Sequence, residues 1–138
     1  MGLNIKKVEY FNIIVDGTAE EAYKLLSTFA AIDVGLLAFK AVLVKKGHSL
    51  FSLFPNDTSK MKDCAKKAGL KLNGPHTAVM VKSDSDEPGE CAAIFKKLSQ
   101  AKINIDESSG IADINDSYGV ILYLKTEDCE KAMLALKV

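Results

Sequence analysis

Residues able to hold a charged small molecule gather between positions 84 and 104. Asp84-Ser85-Asp86-Glu87 is acidic, Pro88-Gly89 follows, and an amphipathic helix pattern starts directly behind it. Asn104 comes after that pattern, inside the short apolar stretch Ile103-Asn104-Ile105. Proline suits a first helical turn, because its missing N–H would have no helical acceptor there and its φ is preset. Gly89 lacks a Cβ, so a ligand or another backbone can come close. The first N–H groups of a helix have no intrahelical acceptor and form a seat for an anion such as an α-carboxylate. Asp86, just outside, can accept from an ammonium. An amino-acid zwitterion needs both features. The same residues also do plainer work: aspartate before proline at a helix start is capping chemistry, and acidic residues there favour the macrodipole with no ligand at all. Both readings stand on the motif alone. Asp84 and Glu87 read as solvated, and the acidic run lacks the glycine and distal glutamate of a calcium loop.

No other cluster suggests chemistry. His48 and His76 sit alone at a turn and a strand start, without a partner nucleophile or metal cluster, so surface or interdomain packing is expected of them. Cys64, Cys91 and Cys129 are far apart, with no C-x-x-C spacing, and each lies in a helical pattern. They read as small buried hydrophobes in a reducing cytoplasm, with a reactive thiol or metal ligand as the alternative. Tyr118-Gly119 reads as part of a hairpin turn. No catalytic set, metal site or cofactor is expected.

Composition narrows the partners. The 138 residues allow one ordinary domain or two small ones, and an apolar content of 48% supports a packed core. Eighteen basic residues balance eighteen acidic ones, with no basic run, so nucleic acid and anionic lipid are poor partners. Tryptophan is absent and aromatics are few, which leaves no stacking platform for bases. The first ten residues hold no signal-peptide core, and the longest apolar region, 29–44, is broken by Asp33 and Lys40. A cytoplasmic protein with no membrane span is expected.

The elements that would position these residues repeat. Residues 8–15 read as a strand, and Thr18 with Glu21 as a capping box opening a helix that buries Ala22, Leu25, Leu26 and Phe29. Two strands joined near Lys46-Gly47 follow, then a helix opened by Asn56 or Asp57 and closed by Gly69, then a short strand over 70–74. The second half repeats the order: a strand over 76–83, a helix over 88–101, strands on either side of an Asn115-to-Gly119 turn, and a last helix with Cys129, Ala132, Met133 and Leu136 on one face. Ile32-Asp33-Val34 aligns with Ile103-Asn104-Ile105. The period is about 70 residues, and the unit is β-α-β-β-α, the split β-α-β or ferredoxin-like order. The second copy stops after its helix, so its sheet edge needs a cover, for which Leu3-Asn4-Ile5 is a candidate strand.

Asp86-Glu87-Pro88-Gly89, the helix behind it and the Ile103-Asn104-Ile105 strand together resemble the signature of the ACT domain. The likeness covers the second half of the chain. The first half resembles a degenerate copy, with Asp16-Gly17-Thr18 in place of Pro-Gly and Asp33 in place of the asparagine. The resemblance implies an α+β fold of two ferredoxin-like ACT-type repeats, 1–74 and 75–138, with antiparallel sheets and helices on one face of each. It implies a regulatory protein without a catalytic domain that binds an amino acid through Asp86, Glu87, Pro88, Gly89 and Asn104, the last reached across adjacent domains. A homodimer is expected from exposed sheet edges, and a metabolic enzyme or regulator as its partner. The alternative is an ACT-type dimerisation module that has lost its ligand.

Overall fold

The expected strand over residues 8–15 becomes β1 (Leu3–Asp16), which extends further toward the N-terminus than its apolar core. The computed structural model describes residues 3–84, 89–112 and 117–137. After β1 come α1 (Ala19–Ala30), β2 (Leu36–Lys45), β3 (His48–Pro55), α2 (Thr58–Ala68) and β4 (Asn73–Ser83). Then follow α3 (Glu90–Gln100), β5 (Glu107–Ala112), β6 (Tyr118–Tyr123) and α4 (Thr126–Lys137). The strands are hydrogen-bonded in the order β2-β3-β1-β4-β6-β5. The β1·β3, β2·β3, β4·β6 and β5·β6 ladders are antiparallel. The fold class is α+β, and no helix among the described residues is long and apolar enough to cross a membrane.

The chain divides into two compact units, Glu9–His76 and Met1–Val8 with Thr77–Val138. In the first, alternate residues Phe11 and Ile13 of β1 and Phe51 and Leu53 of β3 face Leu25 and Phe29 of α1 and Met61, Cys64 and Ala65 of α2. Both helices therefore cover the same face of the strands. In the second, Val79 and Val81 of β4 and Val120 and Leu122 of β6 meet Ile94 and Leu98 of α3 and Cys129, Ala132 and Leu136 of α4. The expected edge cover is present there. Leu3 and Ile5 pack against this core, and Lys7 Nζ lies 3.3 Å from Glu130 Oε1. Residues 70–72 are not the short strand expected of them; strand structure resumes at Asn73, where β4 begins and runs without interruption to Ser83.

Helix ends follow local chemistry. Thr18 Oγ1 accepts from the Glu21 N–H and Asp57 Oδ1 from the Lys60 N–H. The capping box at Thr18 is only half used, because the Thr18 N–H donates to Asp16 O while the Glu21 carboxylate faces Lys24. Three helices end alike. The N–H groups of Val34, Leu70 and Ile103 reach back to the carbonyls of Phe29, Ala65 and Leu98. The residue before each is left-handed: Asp33 at φ 63°, Gly69 at 72° and Lys102 at 57°. These are Schellman endings, which turn the chain and bring its next apolar residue onto the last helical turn.

Glycine is at ease in that left-handed position, whereas a side chain there is strained by about 1–2 kcal/mol. Lys102→Gly is therefore expected to raise unfolding free energy by about 0.5–1 kcal/mol, and Gly69→Ala to lower it by about 1 kcal/mol, after allowing for glycine's greater unfolded-state entropy. Urea denaturation with an unchanged slope checks both values.

Candidate functional site

The N-terminus of α3 differs from those of α1 and α2. Its N-cap is Gly89, at φ 100° and ψ −14°, with no side-chain cap hydrogen bond. The expectation that Pro-Gly would form the first helical turn is corrected: the helix opens at Glu90 and Gly89 is the residue outside it. A Cβ built on Gly89 would meet no atom within 4 Å among the described residues. At the same position the other two helices carry an oxygen that occupies an N–H group. Glycine has none to offer, so the α3 terminus is left to solvent, to the preceding segment or to a ligand. Asp86, Glu87 and Pro88 lie outside the described residues. Ala93 N–H closes the first turn on Gly89 O at 2.9 Å, and Glu90 supplies the acidic group favoured by the macrodipole.

Asn104 is placed elsewhere. It is exposed, between a buried Ile103 and a half-buried Ile105. The expected strand over 103–105 does not form, because β6 ends at Tyr123 and leaves no partner opposite these residues. Asp106 N–H binds Tyr123 O at 2.9 Å, and the ladder proper starts with Glu107 against Tyr123. Gly89 and Asn104 stand at opposite ends of α3, whose 11 residues span roughly 16 Å. Within one unit they do not meet a single amino acid. The helix endings also correct the repeat alignment. Asp33 and Val34 take the places of Lys102 and Ile103, so the counterpart of Asn104 is Gly35 and not Asp33. Gly35 is clipped to Asn56 by its N–H to Oδ1 at 3.2 Å and by its carbonyl from the Asn56 N–H at 2.9 Å.

Tyr118 had a stronger role than a turn residue. It is the first residue of β6, and its phenol hydrogen-bonds Cys91 in the first turn of α3. That bond, then burial, then the charge Cys91 carries once ionised all hold the phenol above its ordinary value of 10.0. Gly110 makes room for it: a Cβ there would stand 2.8 Å from the Tyr118 hydroxyl. The sequence signal was a glycine inside a strand, which marks close approach. Cys64 and Cys129 are buried, with Sγ near Thr28 O at 3.7 Å and near Thr77 Oγ1 and Lys125 O at 3.6 Å. Among the described residues no three His, Cys, Asp or Glu side chains gather as metal ligands. His76 bonds Asn73 and lies 5.2 Å from the Tyr10 ring, and His48 Nδ1 stands 3.9 Å from Asp16 Oδ1.

No protein-family model and no curated protein matches the chain. Solved structures do. The chain is similar to a protein from Bacteroides thetaiotaomicron, with a TM-score of 0.80 at 14% identity over 94% of this chain and 88% of that one. It is similar to the regulatory subunit of aspartate kinase from Thermus thermophilus, with a TM-score of 0.70 at 12% identity over 99% and 95%. The aspartokinase alpha and beta subunits give 0.68 at 18% identity, again over 99% and 95%. At these identities the shared property is the fold, which is ACT-like.

Two outcomes are expected at this helix end. Gly89→Ala places a side chain at positive φ and lowers stability by about 1 kcal/mol, whereas a glycine lodged in a helix interior would have gained from the change. Because the Tyr118 pKa is raised on folding, its contribution to stability is complete below pH 10 and is lost as pH rises through the raised value. Tyr118→Phe removes that alkaline decline, and denaturant midpoints measured on both sides of pH 10 read it directly.

Proposed function

We propose that this chain is a regulatory protein of two ACT-type repeats, 1–74 and 75–138, that binds an amino acid and has no catalytic chemistry of its own. The observation that carries the reading is the N-terminus of α3, where Gly89 sits at positive φ with open space beside it and no cap of its own. The ligand's carboxylate takes the α3 N–H groups, and its ammonium takes Asp86, with Glu87 and Pro88 in the same stretch. Asn104 joins such a site only from a neighbouring unit, since its own unit holds it about 16 Å away. The first repeat has no equal site: Thr18 fills its helix end with a hydroxyl, and Gly35 has no side-chain amide. The fold shared with the regulatory subunit of the Thermus thermophilus aspartate kinase supports a role beside a metabolic enzyme or another regulator. The protein acts in the cytoplasm, as a homodimer, without nucleic acid or membrane.

The second reading is a dimerisation module without a ligand, favoured by the filled helix end of the first repeat and by exposed apolar side chains along β2. Thermal shift against the standard amino acids separates the two. A ligand at 100 times its Kd is expected to stabilise by about 2.7 kcal/mol. Gly89→Val is expected to abolish the shift, and Asn104→Ala to weaken it with little change in the unliganded Tm. Equal parts of the two variants, mixed and re-equilibrated, should recover part of the shift if Asn104 comes from a second copy. No shift with any amino acid leaves the dimerisation module standing.

A further inference from the structure

Within the first unit, a cleft opens between the last part of β1 and the segment that joins α2 to β4. β4 reaches β1 near Tyr10, where a Cβ on Gly74 would stand 2.9 Å from the Tyr10 carbonyl oxygen. Beyond that point β1 pairs with β3 on one side, while residues 69–72 on the other belong to no strand. The cleft between them holds about 610 Å³, within the size range of small-molecule sites. Ile14, Leu50 and Leu70 give it aliphatic walls. Ile14 and Leu50 oppose each other in the β1·β3 ladder and, with Asn12, lie on the strand face turned away from α1 and α2. Three polar side chains complete the lining, Asn12, Lys71 and Asn73, and all three are set to donate. Ser52, 2% exposed, donates to Asn12 Oδ1 at 2.6 Å, which fixes that amide and leaves its NH₂ as the group it offers the cleft. Asn73 repeats the arrangement, with its Oδ1 on His76 Nε2 and its NH₂ remaining. Lys71 is exposed, and among the described residues no carboxylate lines the cleft beside it.

We infer that this cleft binds an aliphatic monocarboxylate that carries no ammonium group, such as a fatty or α-oxo acid. Two amide NH₂ groups and the Lys71 ammonium meet its carboxylate, and its chain lies on Ile14, Leu50 and Leu70. An amino acid fits less well. Its ammonium finds no carboxylate in the cleft, and both amide oxygens are already engaged by Ser52 and His76. An alkylamine fits worst, because Lys71 repels it and nothing there is placed to accept from it. The ligand class thus differs from that proposed for the α3 end, which lies in the other unit, and neither site depends on the other.

Nuclear magnetic resonance titration of the isotope-labelled full chain tests this with hexanoate, norleucine and hexylamine, which share one carbon chain. Hexanoate is expected to move the side-chain NH₂ signals of Asn12 and Asn73 saturably, and the other two to leave them nearly unmoved. Lys71→Ala and Asn12→Asp are expected to raise the hexanoate Kd about tenfold or more. Asn12→Asp keeps the acceptor for Ser52 but turns the donor into a repelling carboxylate. Should it lower the melting temperature, Lys71→Ala, on an exposed side chain, decides alone. The absence of any saturable hexanoate shift overturns the site, as does norleucine or hexylamine matching hexanoate at these amides. Hexanoate binding indifferent to Lys71→Ala also overturns it. A hexanoate response lost in Gly89→Val but kept in Lys71→Ala moves the carboxylate to the α3 end, and sinks this cleft while the amino-acid site stands.

Discussion

Three of the four helices return to their sheets through one device, and the arrangement of both units depends on it. The helix is broken by a single left-handed residue, and two backbone hydrogen bonds fold the next residue back under the last turn. Val34, Leu70 and Ile103 thereby reach the cores that Phe29, Ala65 and Leu98 already line. The device costs strain where the left-handed residue carries a side chain, as at Asp33 and Lys102, and burial of the apolar residue behind it offsets that strain. It also sets how far along each strand the following ladder starts. Asn104 is left outside the sheet for this reason: the ending consumes Lys102 and Ile103, and strand pairing then waits for a partner residue on β6.

Runs rich in β-branched, aromatic and other apolar residues marked β1, β3, β4 and β6, whose inward residues Phe11, Ile13, Phe51, Leu53, Val79, Val81, Val120 and Leu122 line the two cores. Helices α1 and α2 were readable from Thr18, Asp57 and Gly69, whose side chains or lack of one act within three residues. Long-range effects were not readable in the same way. The failure of 103–105 to become a strand depends on where β6 ends, twenty residues later. The pairing of Tyr118 with Cys91 depends on Gly110, a glycine inside a strand that marks a close approach without naming the side chain that makes it. The expected repeat set Asp33 against Asn104, which look alike as letters, whereas the left-handed position equates Asp33 with Lys102.

The candidate site gains its character from a contrast within the one molecule. Threonine, aspartate and glycine stand at equivalent positions of α1, α2 and α3. Two of them close a helix end with their own oxygen, and the third has no oxygen to close it with. The motif showed that Pro-Gly could serve either capping or binding; the position of Gly89 outside the helix, at positive φ, weakens the case that its own role is to cap. The acidic Glu90 in the first turn adds a constraint: a carboxylate ligand must meet the backbone donors without approaching that side chain.

β1 belongs to both units. Residues 3–8 lie with Thr77–Val138, and residues 9–16 with the segment that follows them. During synthesis the latter half can pair with β3 as soon as the first unit has emerged. The former half has no partner until residue 77 and beyond have been made, and its contact with Glu130 closes a loop of 123 residues. The nascent chain must therefore hold a short segment in solution while the first unit is already formed, and close this long loop late.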